Sequence, residues 1–136
     1  MKSKISAVIL ADSINEHGNR ITTFDLTFPR FILAELATHR VFSMNSASSR
    51  AIPFKKMKEM VMSNPFTPIA WQKTHSGMQG KDYFNSKVSK FVLRNLWLLG
   101  RSLAVLVAWM LNKVGLTKQL CNRLLEPFMW HSVIIT

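Results

Sequence analysis

The segment Thr22–Pro29 (TTFDLTFP) alternates between polar and apolar residues and ends in a proline. Successive side chains of a β-strand point to opposite faces, so the apolar residues from Phe24 to Phe28 share one face. The pattern predicts a half-buried strand over 22–28. Proline is favoured at the first position of a helix, because that position needs no N–H donor. We therefore expect a helix over 29–39.

Patterns on either side of this segment indicate further strands and a helix. A continuous apolar run, Ile5–Leu10, predicts a mostly buried strand that pairs with the first one across a turn at 16–19. A short amphipathic helix is expected over 53–62, and β-branched residues predict a last strand over 130–136. The fold class is therefore α+β, with an antiparallel sheet packed against long helices.

The longest helical signal covers residues 84–114, where apolar residues recur mainly at spacings of three, four or seven. One helix, or two that meet near Gly100, is expected. Arginines interrupt the segment, and its unbroken apolar stretch, Leu103–Leu111, is too short to cross a bilayer. We therefore expect a buried helix and no membrane association.

Prolines and glycines predict a loop over 63–80, which we interpret as a surface insertion. A further helix is expected over 117–125, with Thr117 as its cap and Pro127 after its end. Cys121 lies in this helix and is the one cysteine, so it excludes an internal disulfide. We expect a buried, unreactive thiol in a reducing, cytoplasmic compartment.

Composition restricts the function further. A chain of 136 residues fits one domain, and 48% hydrophobic residues exclude a disordered chain. The net charge of +11 points to anionic partners, but the basic residues are scattered along the chain. Small anionic ligands are therefore favoured over nucleic acid. The histidines are too far apart for metal-ligand spacing, so no metal site is expected.

The segment Thr38–Arg50 is the richest in hydrogen-bond donors. It holds two arginines, one histidine, one asparagine, one threonine and four serines. Arginine presents a rigid fork of donors that matches phosphate oxygens, and hydroxyl groups add adaptable donors and acceptors. The composition fits a cradle for a mononucleotide or a cofactor phosphate. A solvated serine-rich loop, with His39 and Arg40 as a helix C-cap, is the alternative.

The same segment resembles the signature of the flavin-dependent thymidylate synthases. That signature is Arg-His-Arg, seven residues and then Ser, with Asn in the spacer and Arg two residues after the Ser. Here Thr38 stands in place of the first arginine. The spacing from Arg40 to Ser48 matches that of the signature, and so do the positions of Asn45 and Arg50. The segment 123–127 is similar to the Arg-x-x-x-Pro segment of the same family.

The resemblance implies roles for individual residues. The cofactor FAD would contact Thr38, His39, Arg40 and Ser46. Ser48 and Arg50 would be catalytic, and the substrate dUMP would lie among Glu35, Ser46, Ser48, Ser49, Arg50 and Arg123. Two arginines distant in sequence, Arg50 and Arg123, would then converge on one phosphate. Glu35 stands where the family often has glutamine, so it is expected either to pair with Arg40 or Arg50 or to accompany a different substrate.

The resemblance also implies the reaction. A methylene group passes from methylenetetrahydrofolate to dUMP and becomes a methyl group with hydride from reduced flavin, which NADPH reduces again. The implied assembly is a homotetramer. Members of the family are longer, so we expect residues 1–136 to be the N-terminal portion of a longer domain, incomplete at the C-terminus as in a truncated or split product.

Three alternatives remain open. A basic module could bind single-stranded nucleic acid through Lys and Arg side chains and stack bases on Trp71 or Trp97. A related flavin enzyme could modify another pyrimidine nucleotide, because Thr38 and Glu35 depart from the family pattern. A helical assembly protein could dock on a partner through its long apolar helix.

Overall fold

The structure is a computed structural model that describes residues 5–77 and 79–136. The predicted loop 63–80 includes Met78, which lies outside the described residues. In the described part of the chain the elements are β1 (Ser6–Ile14), β2 (Arg20–Pro29), α1 (Leu33–Ala37), β3 (Met44–Ser46), α2 (Phe54–Ser63), α3 (Lys87–Lys113), α4 (Lys118–Arg123) and β4 (Trp130–Ile135). Two 3₁₀ turns, Arg30–Ile32 and Glu126–Phe128, precede α1 and β4.

The strands form an antiparallel sheet in the order β1-β2-β4-β3. Leu26 lies opposite Val133, and Phe28 lies opposite His131, so these alternate residues share one face. The α1 residues Leu33 and Leu36 pack against that face. The sheet and the long helix confirm the predicted α+β class.

The first strand differs from the prediction in length and burial. β1 extends to Ile14, and all nine of its residues are exposed. The expectation of a mostly buried strand is wrong, because β1 lies at the edge of the sheet and pairs only with β2 in the described part of the chain. Its apolar composition reflects strand propensity rather than burial within this protomer.

The helix predicted over 29–39 is much shorter than expected. Pro29 is the last residue of β2, with φ −62° and ψ 131°, and a 3₁₀ turn separates it from α1. α1 has only five residues. Just after them, the Thr38 hydroxyl donates to the carbonyl of Glu35 at 2.7 Å. Such a local side-chain bond competes with helix continuation, and α1 ends there.

A second core lies between α2, α3 and α4. Met57, Val61, Ala108, Cys121 and Leu125 are all fully buried there. The burial of Cys121 confirms the expected buried thiol. α4 ends two residues earlier than predicted. Thr117 is its N-cap residue, as predicted, but its side chain forms no capping hydrogen bond.

α3 is one continuous helix of 27 residues and passes through Gly100 without a break. The expectation that it is buried is wrong over most of its length, since only Val105 and Ala108 are buried among its residues. One face packs against α2 and α4, and no described element covers the opposite face. By length and composition alone α3 could span a membrane, with 11% of its most apolar window buried. A single helix of this kind is weak evidence for a membrane protein.

Candidate functional site

Part of the donor-rich segment is a strand rather than a loop. β3 pairs with β4, with Asn45 opposite Ile134 and Ser46 opposite Val133. Just before β3, Ser43 and Thr136 exchange two backbone hydrogen bonds, of 2.9 and 3.0 Å. The sheet therefore fixes the path of the chain through the middle of the predicted signature, at residues 43–46.

A shallow groove lies beside this strand. It has a volume of about 300 Å³ and is lined by Asp25, Asn45, Ser46, Ala47, Ser132, Val133 and Ile134. This volume is at the lower end of the range for small-molecule sites. Asn45 and Ser46 are both exposed. The groove thus offers hydroxyl and amide groups to a small polar ligand.

Ser49 is the buried anchor of the segment. Its hydroxyl donates to the carboxylate of Glu126, and its side chain and backbone are only 1% exposed. The other bonds come from Asn122, whose amide donates to the carbonyls of Ser49 at 2.8 Å and Ile52 at 2.9 Å. Residues 49–52 are therefore tied to α4 and to the turn after it.

The carboxylate of Glu126 links Ser49 to two arginines. Its oxygens lie 3.7 Å from Arg30 Nη2 and 3.6 Å from Arg123 Nη1. The side chain of Arg30 is 12% exposed, whereas that of Arg123 is 59% exposed. Arg30 therefore lies inside this polar cluster, whereas most of the Arg123 side chain faces solvent.

The cluster continues into the sheet through His131. Nη1 of Arg30 lies 3.0 Å from each ring nitrogen of this buried histidine. Arginine can only donate, so a ring nitrogen of His131 accepts. Burial lowers the pKa of His131 to about 4, with a further contribution from the Arg30 charge and an opposing one from Glu126. The ring is therefore neutral at pH 7.

Arg50 and Arg123 come from segments that the fold brings together. Asn122 contacts Ser49, and these two residues directly precede Arg123 and Arg50. The side chain of Arg50 is exposed, and Arg50 forms no ion pair with a described residue. Arg50 N–H donates to the Ser48 hydroxyl at 3.3 Å. The convergence of both guanidinium groups on one anion stays a prediction.

The residues around the end of α1 are exposed. Glu35, Thr38, His39 and Arg40 all face solvent, and the ring of His39 lies 6.1 Å from that of Phe42. Glu35 forms no ion pair with Arg40 or Arg50 in the described residues, so the expected pairing is wrong. The chain turns after α1, and the charged side chains extend into solvent instead of toward one another.

Sequence reasoning missed the polar residues that hold the site together: Arg30, Asn122, Glu126 and His131. Local sequence carries no signal for Asn122, because polar and charged residues such as Gln119 and Arg123 surround it in the same helix. The other contacts join residues 77 to 101 positions apart, so they depend on the tertiary fold.

Of the two aromatic residues assigned to nucleic-acid binding, Trp97 is packed within the protein. Trp97 packs edge-to-face against Phe66, Trp71 and Phe128, and its indole N–H donates to the Phe66 carbonyl at 2.9 Å. A ring held on several sides is not a free platform for a base. Among residues 5–77 and 79–136, no group of three or more His, Cys, Asp or Glu residues could hold a metal ion.

The fold is similar to that of two solved structures. Both are of PolB, a UMP/dUMP methylase from Streptomyces cacaoi. The one with 5-Br UMP bound has a TM-score of 0.74 and 16% identity, over 98% of this chain and 71% of PolB. The one with 5-Br dUMP bound has a TM-score of 0.72 and 12% identity, over 98% and 73%. At these identities the similarity shows the fold alone.

No protein-family model matches the chain, and no curated protein sequence matches it significantly. The flavin-dependent signature therefore stays a prediction, whereas the α+β architecture with its antiparallel sheet and long helix is shared with the UMP/dUMP methylase structures.

Proposed function

We propose that this chain binds a pyrimidine mononucleotide and acts in the methylation of its uracil ring, with dUMP and UMP as the candidate substrates. The observation that carries the proposal is the polar cluster of Ser49, Asn122 and Glu126, which joins the signature segment to the Arg123 segment across more than 70 positions. The fold similarity to PolB, a UMP/dUMP methylase, supports the same substrate class.

The exposed groups around this cluster suit a phosphate monoester. Arg50 and Arg123 supply guanidinium donors, and Ser46 and Ser48 supply hydroxyl groups, on segments that the fold holds side by side. Charge-assisted hydrogen bonds from arginine are about twice as strong as neutral ones. Ser48 and Arg50 are the proposed catalytic residues, because the resemblance to the flavin-dependent thymidylate synthases implies these positions.

We further propose FAD as the cofactor, with methylenetetrahydrofolate and NADPH as co-substrates. His39, Arg40 and Ser46 fit an anionic cofactor, because the first two are exposed cationic or donor groups and the third lies on the adjacent strand. The hydroxyl of Thr38 donates to Glu35, so Thr38 would contact the cofactor through its backbone or methyl group. Reduced flavin would supply the hydride that completes the methyl group.

A protein thiol is not required in this reaction. Cys121 is fully buried, and its Sγ contacts the Leu116 carbonyl at 3.7 Å. A thiol in that position is not accessible to a substrate carbon. This geometry favours cofactor chemistry over the cysteine nucleophile of the other thymidylate synthases.

Two observations support UMP as a second candidate substrate. PolB is described as a methylase of both UMP and dUMP. In addition, the carboxylate of Glu35 forms no ion pair with a described residue. A free carboxylate can accept a hydrogen bond from a ribose hydroxyl, which dUMP lacks at the 2′ position.

Calorimetric titration with dUMP, UMP and deoxyuridine tests the proposal. We expect both nucleotides to bind and deoxyuridine, which lacks the phosphate, to bind at least about 10-fold more weakly. Arg50→Ala and Arg123→Ala should each weaken nucleotide binding by about 10-fold or more. Arg94→Ala is the matched control, because Arg94 is an exposed arginine on α3. Equal binding of all three ligands would contradict the proposal.

Visible absorbance of the protein after incubation with FAD tests the cofactor separately. Arg40→Ala should lower flavin affinity by about 1.5–3 kcal/mol, as expected for a lost hydrogen bond to a charged group. Arg94→Ala should leave it unchanged. Equal flavin content in wild type and Arg40→Ala would reject Arg40 as a cofactor residue.

A further inference from the structure

α3 carries a continuous apolar stripe that its own protomer leaves exposed. The stripe consists of residues that are between 48 and 80% exposed: Val88, Val92, Leu96, Leu99, Leu103, Leu106, Met110 and Val114. With 100° between successive residues of a helix, these positions fall within about 80° of one another around the axis. Over 27 residues the helix is about 40 Å long.

The spacing within the stripe is that of a coiled-coil seam. From Val92 to Met110 the apolar residues are separated by four, three, four, three and four positions. A repeat of 3.5 residues keeps one seam in contact with a partner helix over its whole length. The pattern therefore favours another α-helix, packed nearly parallel or antiparallel to α3, as the occupant of this face.

The stripe is also symmetric about Arg101. Leu99 and Leu103 lie two positions on either side of it, and Leu96 and Leu106 lie five positions away. Val92 and Met110 are nine positions away, and the outermost pair, Val88 and Val114, is thirteen positions away. Each apolar residue thus faces another apolar residue when α3 meets a copy of itself in the opposite direction. A surface of this kind is self-complementary under a two-fold axis.

Charge does not oppose such a contact, although the chain carries a net charge of +11. Lys90, Arg94 and Arg101 lie about 160–180° around the helix from the middle of the stripe. Lys113 lies at the end of the seam, and in the antiparallel alignment it faces Ser89 of the second copy. The seam is therefore free of like-charge pairs.

The same distribution argues against a membrane-spanning position for α3. A helix that spans the membrane would place Arg94 and Arg101 within the hydrocarbon. In α3 Arg101 lies on the side that faces α2, and its guanidinium donates to the carbonyl of Met62 at 3.2 Å.

We propose that the exposed stripe of α3 docks against α3 of a second copy of this chain, antiparallel, with the two-fold axis at the level of Arg101 and passing between Leu99 and Leu103. The proposal does not depend on the nucleotide or cofactor proposed above. It assigns a specific surface to the homo-oligomer that the family resemblance implies.

Light scattering on wild-type protein and on Leu103→Glu tests the surface. We expect the variant to have half the assembled mass of the wild type, because a charge in the seam weakens association by at least about 100-fold. Ile69→Glu is the matched control, since Ile69 is 77% exposed but lies off the helix. Circular dichroism verifies that the variants fold. A monomeric wild type, or equal masses for wild type and Leu103→Glu, would overturn the proposal.

Cross-linking determines the direction of the helices. A mixture of Val92→Cys and Met110→Cys proteins should form an interchain disulfide under mild oxidation, because these positions face each other in the antiparallel alignment. Val92→Cys alone should not, because its two copies are about 27 Å apart along the axis. Wild type, with its buried Cys121, gives the background.

Two other outcomes would reject the proposal. A disulfide in Val92→Cys alone would show a parallel pair. Co-sedimentation of a monomeric wild type with anionic vesicles, abolished in Leu103→Glu, would show that α3 binds a membrane surface.

Discussion

Replacing Asn122 with alanine tests whether the buried amide holds the binding segment in place. Asn122 is fully buried, and its amide nitrogen donates to the carbonyls of Ser49 and Ile52 at 2.8 and 2.9 Å. Alanine removes both N–H donors, so the carbonyls of Ser49 and Ile52 lose these hydrogen bonds, and each loss costs about 1–1.5 kcal/mol of stability. The substitution also leaves a small cavity. We expect the free energy of unfolding to fall by about 2–4 kcal/mol.

Urea denaturation followed by circular dichroism measures this loss. Gln119→Ala is the matched control, because Gln119 is an exposed amide on the same helix. It should change stability by less than about 0.5 kcal/mol. A loss in Asn122→Ala as small as that of the control would refute the reasoning, since it would mean that the two hydrogen bonds contribute no net stability. A changed dependence on urea would instead point to an altered unfolded state.

Further predictions concern the charged groups of the site. The pKa of His131 is about 4 in the folded protein and near 6.5 when unfolded, so the unfolded chain binds more protons between these values. Stability to urea should therefore fall as the pH is lowered from about 6.5 to 4, and His131→Gln should reduce that slope; an unchanged slope would contradict the assignment. Glu126→Gln should lower the unfolding free energy by about 1.5–3 kcal/mol, because Arg30 loses its carboxylate partner; undiminished stability would argue against this partnership. In a double-mutant cycle on dUMP binding, Arg50→Ala and Arg123→Ala should be non-additive, and strictly additive losses would show that they do not share one phosphate.

Local patterns predicted β1, β2 and β4 but missed β3, which lies in the segment expected to be a loop. The alternation in Thr22–Phe28 and the β-branched residues at 130–136 indicated β2 and β4. That these two strands are neighbours, with Leu26 opposite Val133, depends on a contact across more than 100 residues. Short-range propensity carries no information about such a pairing, because register is set by the shared buried face.

Burial was harder to predict than secondary structure. The apolar period correctly predicted a long helix at α3, and Gly100 costs only about 1 kcal/mol in a helix interior, so no break occurs there. Periodicity shows that a helix has an apolar face. Whether that face is buried depends on other elements or other chains, which local periodicity does not reveal. The exposed β1 is a second example, because an edge strand can have the composition of a buried one.

The architecture explains how a polar binding segment is held by an otherwise apolar protein. Ser49 is fixed from the helical layer by Asn122 and Glu126, and the same carboxylate reaches the sheet through Arg30 and His131. Both layers therefore determine where the segment lies, while its neighbouring arginine and serine side chains remain exposed. The backbone of the segment is therefore fixed before a ligand binds, and only the exposed side chains of Arg50 and Arg123 have to reorient. For this reason we expect substitutions within the buried cluster to reduce ligand affinity along with stability, and substitutions of the exposed Arg50 to reduce affinity alone.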